Sequence, residues 1–153
     1  MTGDENPYPL VSRKQVTQLL GTPLDHDIKV SDVVIELQKT FEPFFLIPDL
    51  ARRRHCEAEW RKHLGDRVIC LEQAGDTVEA AAGLVGLCEG ALADLDALAK
   101  RLRDGGLEGP RVGAVVRALT PFAATLGRAG SPAAPVVETG PSASDDQGSG
   151  YDR

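Results

Sequence analysis

The chain has 153 residues, 42% of them hydrophobic, and sets 17 basic against 23 acidic side chains for a net charge of -6. That is one ordinary domain with ends to spare, and the acidic balance argues against nonspecific adhesion to nucleic acid or an anionic membrane. Cys56, Cys70 and Cys88 are odd in number and not closely paired. With a polar, acidic start that resembles no export signal, they point to a reducing, cytoplasmic setting.

Aromatic residues are scarce, with four Phe, two Tyr and one Trp, so Leu, Val and Ala must fill the core. This is the composition of an all-α bundle, here of about five helices. Three regions are expected: a flexible lead over 1–9, broken by Pro7 and Pro9; a helical domain over 10–128; and a disordered tail over 129–153, whose Gly, Ser, Pro and acidic residues cannot offset the entropy of ordering.

The first helix is predicted to open on a capping box, Ser12 with Gln15, and to bury Val16, Leu19 and Leu20 before Gly21 and Pro23 end it. After a charged turn, Ser31 is expected to cap a second helix with Val33, Val34, Leu37 and Phe41 along one side, ended by Pro43. Phe44, Phe45, Leu46 and Ile47 then stand between two prolines. They read as an extended plug into the core or, if left uncovered, as a patch for another protein. Asp49 caps a third helix through Arg52, Arg53, Arg54, Arg61 and Lys62, and 64–66 is the expected joint at its end.

The stretch 68–103 carries the strongest pattern. Leu71, Ala74, Val78, Ala81, Val85, Cys88, Leu92, Leu95, Ala99 and Leu102 recur at steps of three and four, the seam of a coiled coil. Read as one helix, the stretch is a rod of roughly 54 Å. Glu89 is the only charge over 80–93, so that part is expected to be buried on all sides. Gly75, Gly83, Gly86 and Gly90 each cost a helix up to about 1 kcal/mol, which implies close approach of a neighbour. Ala82, Gly86, Gly90, Ala93 and Ala97 form a stripe of small residues suited to it. The alternative is a break into two helices near Gly83 or Gly75. Gly105 and Gly106 stop the rod, 109–110 reads as a turn, and Val112, Val115, Val116 and Leu119 form a last short helix with a kink or fresh start at Pro121.

Chemistry is sparse. Cys56, His63 and Cys70 share a helical face, but steps of seven residues rise about 10.5 Å, too far for one metal ion. Asp25, His26 and Asp27 sit side by side in a turn, where neighbours rarely converge on one substrate. The glycine-rich 105–111 lacks the lysine and hydroxyl of a phosphate-binding loop. No triad roles can be assigned. No catalytic residue, metal or cofactor is therefore expected.

Two functions remain. The first is a non-enzymatic, self-associating interaction protein: an adaptor, assembly factor or accessory structural component, with an Ala/Gly/Arg-rich composition that suits a virus or phage. Its contact residues are expected to be Phe44, Phe45, Leu46, Ile47, Leu71, Val78, Val85, Gly86, Gly90, Leu92, Leu95 and Leu102. The second is a DNA-binding regulator with a helix-turn-helix-like start. It would use Arg13, Lys14, Arg52, Arg53, Arg54, Arg61 and Lys62; within 52–62 five of these bases face Glu57 and Glu59, a local +3.

Overall fold

In the computed structural model the chain is described over residues 1–130; the tail expected beyond Gly130 lies outside the described residues. In chain order the elements are β1 (Leu10–Val11), α1 (Arg13–Leu20), β2 (Ile28–Lys29), α2 (Val30–Gln38), β3 (Phe45–Ile47), α3 (Leu50–Leu64), β4 (Val68–Cys70), α4 (Thr77–Cys88), α5 (Leu95–Asp104) and α6 (Gly109–Thr125). The fold is mostly helical, but it contains two small sheets, so the all-α expectation holds only in part.

The centre is a strand-helix-strand unit. Pro43 and Pro48 deny 44–47 a helix, and the segment runs extended as β3. The Asp49 carboxylate then accepts from the Ala51 amide at 2.6 Å and opens α3. Gly65, at φ 57°, ends α3 at the expected joint, and a 3₁₀ turn (Gly65–Arg67) delivers β4. β4 lies parallel to β3, with Phe45 opposite Val68, Leu46 opposite Ile69 and Ile47 opposite Cys70. Such a pair needs both faces covered. Phe45, Ile47 and Val68 pack with Cys56, Leu64 and Val34 on one side, while Leu46 and Ile69 join the helical core on the other. Alternation of period two thus divides one short sheet between two cores.

The larger core is built by α4, α5 and α6 from Ala80, Leu84, Leu87, Leu92, Leu95, Leu98, Val115, Leu119, Phe122 and Ala123. The rod is not continuous. Its first three residues are β4, a 3₁₀ turn (Ala74–Asp76) follows, and α4 ends at Cys88. Gly90 takes a left-handed φ of 72° in the connection, and the Asp94 carboxylate restarts the chain as α5 by accepting from the Ala97 amide at 2.8 Å. Folding the rod at Gly90 lets α4 and α5 both pack on α6, which a straight helix of that length cannot do.

The glycines of α4 do mark close approach. A Cβ on Gly83 would lie 2.9 Å from side-chain carbons of Leu98 and Leu119, and one on Gly86 would lie 2.6 Å from Leu92. The small-residue stripe is not a helix-helix contact, since Ala82, Gly90 and Ala93 are exposed. α6 starts at Gly109 with Pro110 in its first turn, in place of the expected turn, and runs on through Pro121 without the expected break. The chain before β1 is not a free lead. Thr2 bridges to Leu46 alongside β3, the Trp60 indole donates to the Glu5 carbonyl at 2.8 Å, and Asp4 pairs with Arg52 at 3.1 Å.

Candidate interaction surface

Burial divides the expected contact residues into three groups. Phe45, Leu46, Ile47, Leu71, Leu92 and Leu95 are buried within this chain and present nothing to a partner. Phe44 is half-buried, with its ring edge-on to Phe122 at 4.8 Å; the 44–47 plug is therefore covered. Gly90 shapes a turn. Val78 is 75% exposed and Val85 63% exposed, while Gly86 and Leu102 are half-buried beside them.

The heptad register is thus turned over in α4. Ala80, Gly83, Leu84 and Leu87 face the core, and the expected seam positions Val78, Val85 and Cys88 face out. A stretch apolar all round was expected to be covered all round, but one side has no cover among the described residues. Val78, Ala82 and Val85, at i, i+4 and i+7, form an outer apolar stripe along α4.

Grooves flank that stripe on both sides. Between α4 and α5 is a groove of about 940 Å³ whose walls include Val78, Ala82, Val85, Leu98, Leu102 and Leu107. On the other side is one of about 700 Å³, walled by Leu37, Phe41, Pro43, Phe44, Ala81, Val85 and Cys88. Ala81 and Val85 belong to both. A third hollow, about 530 Å³, follows α2 along Ile28, Val33, Leu37 and Phe41, and shares Leu37, Thr40 and Phe41 with the second. The three hollows adjoin through these shared residues and are taken together as one apolar trough across α2, α4 and α5; Phe41, 63% exposed, lines two of them. Exposed apolar surface rimmed by charged side chains is the kind on which another molecule can dock.

The charged side chains lining the trough are Asp32, Glu36, Glu42, Glu79 and Glu89 against Arg101. Lys39, Arg67 and Arg111 meet three of these acids from outside it, at 2.6 Å to Glu36, 3.9 Å to Glu42 and 3.4 Å to Glu79. Arg111 also fastens the start of α4 to α6. Its Nε donates to Asp76, 1% exposed, at 2.8 Å, and one of its terminal nitrogens donates to the Gly75 carbonyl at 2.8 Å.

The basic cluster of α3 is largely spent on intramolecular pairs. Glu57 accepts from Arg53 and, at 2.8 Å, from Arg61, and these two guanidinium groups hold its carboxyl at about 2. Lys62 pairs with Glu59, and Arg52 with Asp4. Arg13 and Lys14 belong to another element, α1. Between α1 and α2 the chain makes a strand, not the short turn of a helix-turn-helix. Ser12 does stand at the N-cap of α1, but its side chain makes no capping bond; the Asp27 carboxylate accepts the Arg13 amide at 2.9 Å instead. α2 opens one residue before Ser31, with Lys29 at the cap position.

Burial pushes the Cys70 and Cys88 thiols up to about 11, with a hydrogen bond to Glu42 adding to the effect at Cys88. Burial raises Cys56 as well. All three stay as thiols near neutral pH and are poor nucleophiles there. Among the described residues no three His, Cys, Asp or Glu side chains converge as a metal site, and no helix is long and apolar enough to cross a membrane. No family, curated protein or solved structure matches the chain.

Proposed function

We propose that this is a non-enzymatic interaction protein, an adaptor or an assembly or accessory structural component, whose working surface is the trough across α2, α4 and α5. The observation that carries the reading is the outward stripe of α4. Val78 and Val85 are exposed on a helix whose opposite face is packed with Leu84 and Leu87, so the fold is complete without covering them. Retaining such residues on a surface costs solubility and contributes nothing to this chain's own core. Arg52, Arg53, Arg61 and Lys62 already meet carboxylates, which removes most of the charge a DNA-binding reading needs.

A photo-crosslinking amino acid at Val85, with a second variant carrying it at Arg54 on exposed α3, tests the reading in cells that make the protein. Protein adducts from position 85 well above those from position 54 are expected. Equal yields at the two positions would contradict it.

A further inference from the structure

The trough fits one element of the chain itself. α1 buries none of its residues; Leu19 is 79% exposed and Leu20 74% exposed. Val16, Leu19 and Leu20, at i, i+3 and i+4, share one face of the helix, the spacing that seats a helix in an apolar groove. α1 carries Arg13 and Lys14 and no acid. By helical geometry, at about 100° per residue, Arg13 borders the apolar face and Lys14 lies across the helix from it. Of the five carboxylates along the trough, Glu36, Glu42 and Glu79 are already ion-paired, which leaves Asp32 and Glu89 against Arg101, a smaller balance of the opposite sign.

We propose that α1 of a second copy of this chain docks in the trough, its Leu19 and Leu20 against the Val78 and Val85 stripe and its Arg13 toward the acidic wall. The inference rests on reading the trough as a docking surface. Two other occupants fit less well. Trough against trough sets Asp32 and Glu89 against the same two acids and brings no helix to fill the hollows. The segment 131–153 carries Glu138, Asp145, Asp146 and Asp152 against Arg153 alone, so it brings acid to acid.

The contact is heterologous: each copy offers a helix to one neighbour and a trough to another. Repetition gives a closed ring, of which a reciprocally exchanged pair is the smallest, or an open chain. Such an arrangement has a property that a single patch pairing with its own copy lacks, because two differently damaged chains complement each other once and then stop.

The test is sedimentation velocity on the full chain through the micromolar range, with three samples: wild type, Leu19→Asp with Leu20→Asp, and Val85→Asp. All substituted positions are exposed, and a thermal melt of each variant checks that it folds. Wild type is expected to associate to a dimer or a larger species as concentration rises. Each variant alone is expected to stay at 16.3 kDa, with association weakened at least tenfold. An equimolar mixture of the two variants is expected to form a species of twice that mass and nothing larger. A wild type that stays monomeric overturns the inference. So does an oligomer broken by Val85→Asp but untouched by the α1 substitutions, and so does a variant mixture that remains monomeric. In each of these cases the docking-surface reading stands or falls separately, on whether crosslinks from position 85 reach a different protein.

Discussion

Glu57 is the residue through which pH acts most plainly on this fold. Its carboxyl titrates at about 2, against 4.5 for the free group, because Arg53 and then Arg61 hydrogen-bond its charged form. A depressed carboxyl stabilises the folded state above its ordinary value, and that contribution disappears as pH falls from about 4.5 through 2. The Arg53 side chain is about half exposed, so solvent screens the pair and the gain is about 1–2 kcal/mol rather than the full shift. Glu57→Gln should therefore lower urea-unfolding stability by that amount at pH 7 and by almost nothing near pH 2. A deficit that is constant with pH would show that the loss lies in packing.

Two other side-chain sites carry larger stakes. Arg111→Ala strands the buried Asp76 carboxylate, whose Oδ2 already lacks a partner; a loss of stability clearly larger than that from breaking the exposed Lys100–Asp104 pair is expected by denaturant titration. Gly83→Ala gains up to about 1 kcal/mol of helix propensity. It also drives a Cβ against Leu98 and Leu119 in a filled core, which costs typically 1–3 kcal/mol. Net destabilisation is expected in a thermal melt, and a stabilised variant would mean that those leucines give way freely.

At the scale of elements the decisive one is α4, where two leucines and two valines have exchanged the places that the heptad assigned them. Leu87→Ala should cost about 2–5 kcal/mol, whereas Val85→Asp and Val78→Asp should change folding stability by less than about 1 kcal/mol. If the aspartates unfolded the chain and the alanine did not, the helix would be facing the other way.

Why the pattern misled is visible in the same residues. In 80–93 nearly every position is apolar, so spacing cannot say which face is buried; that choice belongs to Leu119 and Phe122 on α6, some thirty residues further along the chain. The strand β4 was hidden for a related reason. Val68, Ile69 and Cys70 are apolar on both faces, as a parallel strand must be, and such a run reads equally well as the start of a buried helix. Local chemistry was legible where it acts locally. Pro43 and Pro48 forced β3 to be extended, Asp49 capped α3, Gly65 closed it, Gly21 ended α1 at φ 70°, and Gly105 and Gly106 stopped α5. Of the proposed surface, Val78, Val85, Gly86 and Leu102 were among the residues the sequence put forward. Phe41 and the α2 hollow were not, since only the tertiary fold brings α2 beside α4.

At the scale of the whole molecule, a packed body of α3 to α6 around β3 and β4 carries a lightly attached appendage. α1 is tied by its Gly21 turn, the β1–β2 pair and the Asp27 bond to Arg13. It contributes no buried residue, yet it displays two leucines and a cationic rim. Among the described residues nothing covers the trough of the body, where Asp32 and Glu89 stand against Arg101. The proposed head-to-tail association would use these two surfaces of one chain, an exposed apolar helix face and an apolar trough.

The measurement that tests this most directly is hydrogen–deuterium exchange over a range of protein concentrations. If the trough receives α1, amides of α1, α2 and α4 gain protection together as concentration rises, while those of α3 stay as they are. Exchange that does not change with concentration in α1 and α4 would contradict the account. So would protection that appears on α3 instead.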